Sequence, residues 1–157
     1  MSKKDVLVCF VCTGNTCRSP MAEYYFNNIN NINSDKPDNS GVSAVSRGLS
    51  VGYSAPMALN AKKTLVSNNI IRNIDEILHE SKQIDEKIIE EADYIYGITE
   101  AHSNILKENF PQFAAKIFAM PEDVGDPYGG SIEIYEKCFE KIRKAVDMIT
   151  EELKDAE

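Results

Sequence analysis

The segment at residues 12–19, CTGNTCRS, contains the side chains of this chain best suited to chemistry on an oxyanion. Gly14 and Asn15 are among the residues that adopt left-handed backbone conformations most easily, so successive N–H groups of this segment can turn inward as an anion-binding nest. Arg18 adds a planar set of donors that matches two oxygens of a phosphoryl group. The segment therefore predicts a binding site for a dianion of the size of phosphate.

Cys12 opens this segment, where its thiol would face inward amide dipoles, a helix N-terminus and the Arg18 guanidinium. Such surroundings favour the thiolate, which is the nucleophilic form of cysteine. The Ser19 hydroxyl can donate a hydrogen bond to that thiolate and stabilise it both as attacking group and as leaving group. The alternative is a buried thiol at the end of a strand, but the types and offsets of the neighbouring residues favour a nucleophile.

A strand, a tight loop and a helix are predicted to position this segment. Residues 5–11 (DVLVCFV) form a nearly continuous apolar run, which is typical of a strand buried on both faces of a parallel sheet. Ser19 and Pro20 mark a helix start, and apolar residues follow at helical spacing at Ala22, Tyr25, Phe26 and Ile29. The nest therefore lies at the carboxyl edge of the sheet, in front of a helix N-terminus.

Strands and helices alternate along the rest of the chain. The hydrophobic patterns predict strands at residues 42–46, 94–98 and 116–120, and helices at 57–68, 85–92 and 135–153. Thr99 is predicted to cap a further helix, with an apolar face at Ala101, Ile105 and Leu106. Loops are predicted at 34–41, after an Asn-rich stretch at 27–33, and at 121–131. This order implies right-handed βαβ crossovers and an open parallel sheet that binds its ligand at the carboxyl ends of the strands.

Composition favours one soluble domain over residues 1–157, with 43% hydrophobic and 27% charged residues. The formal charge of −8 argues against non-specific binding to nucleic acid or to an anionic membrane. The longest apolar run, VLVCFVC, is too short to span a membrane and lacks the other parts of a secretory signal, so we expect a cytoplasmic protein. The four cysteines and two histidines lack metal-ligand spacing, which predicts no metal site.

Two segments resemble the low-molecular-weight protein tyrosine phosphatases. Residues 11–23 (VCTGNTCRSPMAE) are similar to the family's signature with its Cys-x5-Arg-Ser loop, and residues 126–131 (DPYGGS) are similar to its aspartate–proline loop. The resemblance extends over essentially the whole chain. It implies an α/β fold with a four-stranded parallel sheet flanked by helices, in three Rossmann-like layers, and a cysteine-dependent protein phosphatase without cofactor or metal.

The resemblance also implies roles for individual residues. Cys12 becomes the nucleophile, Arg18 the clamp on the phosphoryl group, and Asp126 the general acid and later the general base. The residues expected to bind substrate, or phosphate or sulfate in its place, are Thr13, Gly14, Asn15, Thr16, Cys17, Ser19 and Tyr128. Asn15 and Ser19 are also expected to support the loop. Ser46 matches the serine that supports the loop asparagine in the family's Ser-Ala-Gly, and Arg47 departs from that pattern.

Thr16 bears on the choice of phosphorylated protein substrate, because tyrosine-specific members usually carry a bulky aliphatic residue there. A smaller polar side chain leaves room for a hydrated guanidinium and offers it an oxygen. Residues 126–135 (DPYGGSIEIY) also look like the bacterial protein arginine phosphatase branch. Phosphoarginine is therefore favoured over phosphotyrosine, whereas Tyr128 can stack on either group.

Three other functions fit an oxyanion loop of this kind. Arsenate reductases relay electrons through two further cysteines in mid-chain, and this chain has none between Cys17 and Cys138. A phosphocysteine carrier has little need for a general acid such as Asp126, and a module that only binds phosphorylated residues has no need of a thiolate. Cys17 has two open interpretations: a protective disulfide with Cys12, or plain packing.

Overall fold

A four-stranded parallel sheet forms the centre of the molecule, as the computed structural model describes it for residues 5–31 and 41–155. The strands are β1 (Val6–Cys12), β2 (Val42–Gly48), β3 (Tyr94–Gly97) and β4 (Ile117–Ala119). Their order across the sheet is β2-β1-β3-β4, and every neighbouring pair is parallel. The predicted α/β architecture is therefore confirmed.

Helices cover both faces of the sheet. They are α1 (Arg18–Asn31), α2 (Leu59–Ser67), α3 (Glu86–Glu91), α4 (Glu100–Asn109) and α5 (Ile132–Asp155), with short 3₁₀ turns at Ile74–Glu76 and Pro111–Lys116. Val8 and Phe10 of β1 pack into a core with α1, α2 and α5. Cys9 and Val11 point to the opposite core, which contains Leu106 of α4 and residues of α3. Because both faces of β1 are covered, its sequence is apolar almost without interruption.

The position of β1 fixes the ligand-binding edge. The chain leaves β1 through α1 to reach β2 on one side, and returns later to β3 on the other side. Helices on opposite sides of such a switch point leave a crevice at the carboxyl ends of the strands. The segment after Cys12 lies in that crevice, at the end of the most buried strand.

The structure describes only part of the Asn-rich stretch and of the loop predicted after it. The start of the Asn-rich stretch belongs to α1, where the Asn27 side-chain amide exchanges hydrogen bonds of 3.1 and 2.8 Å with the backbone of Ala44 in β2. The loop predicted at 34–41 lies outside the described residues except for Gly41.

The predicted apolar face of α4 is wrong at two of its three positions. Leu106 is buried, but Ala101 and Ile105 are exposed, and the helix instead buries His102 and Ser103. The reason is the close approach of α4 to the end of β3, where a Cβ on Gly97 would lie 2.6 Å from Ser103 N. The first turn of α4 is thereby pressed against the carboxyl edge of the sheet.

Candidate active site

Residues 12–18, here called the cysteine loop, curl between the end of β1 and the start of α1. The turn depends on Asn15, which has a φ of 60°, whereas Gly14 does not take the left-handed conformation expected of it. An asparagine tolerates this region better than most residues with a Cβ. As a result the Asn15 N–H points back into the loop and donates to Cys12 Sγ over 3.3 Å.

A chain of directed hydrogen bonds supports the loop from below. The Asn15 side-chain amide donates to Ser19 Oγ over 2.8 Å and to Ser46 Oγ over 3.0 Å. Ser46 in turn donates to Glu23 Oε1 over 2.6 Å. With both amide hydrogens engaged, the Ser19 hydroxyl accepts from Asn15, and its own hydrogen has two acceptors within reach: Cys12 Sγ at 3.0 Å and the Arg47 carbonyl oxygen at 3.4 Å. The Asn15 N–H and the Ser19 hydroxyl therefore both lie within hydrogen-bond distance of the Cys12 sulfur.

Arg18 joins this loop to residues 121–131, here called the aspartate loop. Its Nη1 donates to Val124 O over 3.0 Å, and its Nη2 lies 3.8 Å from Asp126 Oδ2. Arg18 is only 7% exposed, whereas 57% of the Asp126 side chain is exposed. Asp126 Oδ1 also accepts from the backbone N–H of Tyr128 over 3.1 Å. A buried cation and an accessible carboxylate thus flank the same opening.

The opening is a cavity of about 240 Å³ between the two loops. It is lined by residues 12–18, Asp126 and Tyr128. Ser19 and Ser46 are buried and do not line it. Ser19 Oγ lies 3.0 Å from the Cys12 sulfur beneath the loop, and Ser46 Oγ accepts a hydrogen bond from the Asn15 side chain. The roles of both serines as supports of the loop stay predictions.

The remaining cysteines differ from Cys12 in their surroundings. The Cys17 thiol lies 3.3 Å from the Tyr135 hydroxyl, and burial raises its pKa. Cys9 and Cys138 are buried, and burial raises the pKa of each to about 12. All four thiols are free. Cys9 and Cys138 thus differ from Cys12, which lines the cavity, while disulfide formation by Cys17 stays a hypothesis.

Three polar residues of the site were not identified from the sequence. His79 Nε2 donates to Asn15 O over 2.8 Å, and burial lowers the pKa of His79. His102 Nε2 lies 3.0 Å from Thr13 Oγ1. Glu23 accepts from Ser46, and burial raises its pKa. Glu23 lies one turn after Ser19 on α1, and this spacing could have indicated that it faces the site. Both histidines appeared isolated in the sequence.

Comparison with known families agrees with this architecture. A family model described as "Low molecular weight phosphotyrosine protein phosphatase" matches residues 7–157. The chain belongs to this family. The resemblance seen in the sequence is thereby confirmed, and the protein is a phosphatase that acts as a hydrolase on phosphorylated protein.

Individual relatives of this phosphatase fall in two groups. It is 31% identical over 154 residues to a protein-arginine-phosphatase of Bacillus subtilis, with 94% of this chain and 96% of the relative covered. It is also 31% identical over 150 residues to the low-molecular-weight protein-tyrosine-phosphatase PtpB of Staphylococcus epidermidis, with coverages of 90% and 95%.

A solved structure of a relative carries a phosphoryl group in the active site. The YwlE arginine phosphatase, as a cysteine-to-serine mutant with a phosphorylated active-site serine, superposes with a TM-score of 0.81 at 29% identity. The alignment covers 95% of this phosphatase and 96% of that chain. Within the described part of this phosphatase, no helix is both long and apolar enough to cross a membrane.

Proposed function

We propose that this phosphatase removes phosphoryl groups from protein side chains, preferably from phosphoarginine, through a phosphocysteine intermediate on Cys12. The observation that carries the proposal is the placement of the Cys12 sulfur. It accepts a hydrogen bond from the Asn15 backbone and lies 3.0 Å from Ser19 Oγ, in a cavity that Arg18 and Asp126 also line.

In the first step the Cys12 thiolate attacks phosphorus, and the bond from phosphorus to the leaving nitrogen or oxygen breaks. Asp126 gives its proton to the leaving atom, so that the side chain departs as neutral guanidine or phenol. The accessible position of the Asp126 carboxylate above the loop supports this role. Cys12 then carries the phosphoryl group.

In the second step a water molecule attacks the phosphocysteine. Asp126, now ionised, takes a proton from the water, the S–P bond breaks, and inorganic phosphate leaves. The Ser19 hydroxyl stabilises the departing thiolate as it stabilised the attacking one. The cycle restores the starting enzyme, so no external co-reactant besides water is needed.

Charge on the transferring phosphoryl group is stabilised by donors that are already in place. The N–H groups of the cysteine loop and the Arg18 guanidinium supply these donors, and the buried hydrogen bonds beneath the loop keep them oriented. Preorganised donors of this kind stabilise a transition state without the cost of reorientation during reaction. Inorganic phosphate or sulfate is expected to occupy the same nest.

The preference for phosphoarginine rests on Thr16 and on the arginine phosphatase relatives. Thr16 lines the cavity, and its carbonyl is fixed by the Ala58 N–H over 2.9 Å. Its hydroxyl gives the rim an oxygen that a guanidinium can use and an aromatic ring cannot. The tyrosine phosphatase relatives make phosphotyrosine the second candidate.

Matched peptides that differ only in phosphoarginine or phosphotyrosine test the proposal. We expect wild type to show the higher kcat/KM on phosphoarginine, Thr16→Ser to keep this preference, and Thr16→Val and Thr16→Ile to shift it toward phosphotyrosine. A preference that none of the substitutions changes would contradict the role of Thr16. Higher kcat/KM on phosphotyrosine in wild type would contradict the substrate assignment. A wild type that hydrolyses neither peptide would contradict the phosphatase mechanism.

A further inference from the structure

The side chain of Thr13, next to the nucleophilic cysteine, is bonded to a residue far away in the sequence. Its Oγ1 lies 3.0 Å from Nε2 of His102, the third residue of α4. His102 is only 6% exposed. The substrate-binding roles proposed above do not involve His102, which leaves the purpose of this buried contact to be explained.

The first turn of α4 fixes the proton position on this imidazole. The backbone N–H of Thr99 donates to His102 Nδ1 over 3.1 Å, so Nδ1 bears no hydrogen. Thr99 Oγ1 accepts from His102 N over 3.2 Å and donates to Nδ1 over 2.9 Å. The ring hydrogen therefore lies on Nε2 and is donated to Thr13 Oγ1. Burial, together with the charge of Arg18, lowers the pKa of His102 to about 4, so the ring stays neutral.

The same turn of α4 also holds the aspartate loop. The backbone N–H of Glu100 donates to Asp123 Oδ1 over 2.9 Å. The next residue of that loop, Val124, accepts from Arg18 of the cysteine loop. One helix turn therefore contacts both loops of the active site. The His102 side chain contacts the cysteine loop, and the Glu100 backbone N–H contacts the aspartate loop.

We propose that His102 is a positioning residue and that the first turn of α4 is a brace that fixes the cysteine loop relative to the aspartate loop. This inference rests on the proposed function, because the separation of the two loops matters only if Cys12 attacks and Asp126 protonates. A displacement of about 1 Å between reacting groups can lower a rate about 100-fold. The brace limits the displacement of one loop relative to the other, and it does so without touching substrate.

Leaving-group dependence distinguishes positioning from general structural support. We would measure kcat/KM on 4-nitrophenyl phosphate, which has a good leaving group, and on phenyl phosphate, which has a poor one and needs the general acid more. His102→Leu is expected to lower kcat/KM about tenfold more on phenyl phosphate. His102→Gln offers an amide N–H to Thr13 and is expected to restore most of this loss.

Two additional variants complete the test. Thr13→Val keeps the shape of an exposed rim residue and removes only the acceptor, so it should show the same leaving-group-dependent loss even if His102→Leu does not fold. The second is the double variant His102→Leu/Asp126→Asn. Its leaving-group dependence should be smaller than the product of the leaving-group dependences of the two single variants.

Equal losses on both aryl phosphates, with His102→Gln no better than His102→Leu, would overturn the brace. Unchanged kinetics in Thr13→Val would overturn it as well. In both cases a wild type that turns over the two substrates leaves the proposed function intact. A wild type that hydrolyses neither the aryl phosphates nor the phosphoarginine and phosphotyrosine peptides would instead contradict the proposed function, and the brace with it.

Discussion

The cysteine loop and the aspartate loop meet at Arg18, yet they differ in how they are held. In the cysteine loop, Cys12 is 2% exposed and Asn15 is fully buried, and their hydrogen bonds continue into α1 and β2. In the aspartate loop, Asp126 is exposed and the Tyr128 side chain is 76% exposed.

This difference matches the two parts of the reaction. Stabilising a phosphoryl group requires donors whose orientation is set before substrate binds, and burial with directed hydrogen bonds provides that. A general acid must instead meet leaving groups on different proteins, which an exposed carboxylate on a short loop can do. Replacing the nucleophile Cys12 should therefore affect all substrates, whereas the effect of replacing Asp126 should depend on the leaving group.

Replacing Cys12 should have the largest effect. Cys12→Ser puts a poorly ionised hydroxyl where the thiolate attacks, so we expect turnover of phosphopeptides to fall at least about 10⁴-fold on every substrate. Release of phosphate is the measurement. Cys9→Ala is the matched control, because Cys9 lies in the core away from the cavity, and it should retain activity. Substantial activity in Cys12→Ser would exclude a thiolate mechanism.

Asp126→Asn should have the next largest effect, and an uneven one. We expect kcat/KM to fall about 10²- to 10³-fold on phenyl phosphate and clearly less on 4-nitrophenyl phosphate, because the better leaving group needs less protonation. A loss of the same size on both esters would mean that Asp126 serves the fold of the loop and does not act as the acid.

Ser46→Ala tests the buried support of the cysteine loop. The substitution leaves the Glu23 carboxylate without its donor and Asn15 without one acceptor, so the free energy of unfolding should fall by about 1–3 kcal/mol. Urea denaturation measures this change. Ser43→Ala, at an exposed position of the same strand, is the matched control and should change stability very little. Equal stabilities of the two variants would contradict the proposed support.

Tyr128→Ala should have the smallest effect. The side chain is exposed, so the free energy of unfolding should stay within about 0.5 kcal/mol of wild type. Loss of stacking on the substrate is expected to raise KM about two- to tenfold, and Tyr128→Phe, which keeps the ring, should stay close to wild type. An unchanged KM in Tyr128→Ala would remove Tyr128 from the pocket wall.

Local patterns in the sequence were sufficient for much of the fold. The apolar run of β1 and the helix-start signal after Arg18 predicted the strand, loop and helix that carry the cavity. Thr99 was correctly predicted as a helix cap. These features depend on residues close to each other in the chain, which is why composition and spacing reveal them.

Other features depend on contacts between distant residues. His79 and His102 bond to partners 64 and 89 residues away, so no local spacing marks them as part of the site. The buried face of α4 depends on how closely Gly97 lets the helix approach β3. The choice of Asn15 over Gly14 for the left-handed turn is set by the side-chain bonds of Asn15 to Ser19 and Ser46, which only the folded chain brings together.

Trapping the phosphoryl group on the protein tests the role of Cys12 most directly. Asp126→Asn should slow the second step, so rapid quenching of its reaction with 4-nitrophenyl phosphate, followed by peptide mass spectrometry, should find a phosphoryl group on Cys12. Turnover that continues while no phosphorylated cysteine accumulates, or a phosphoryl group found on a different residue, would contradict the proposed intermediate.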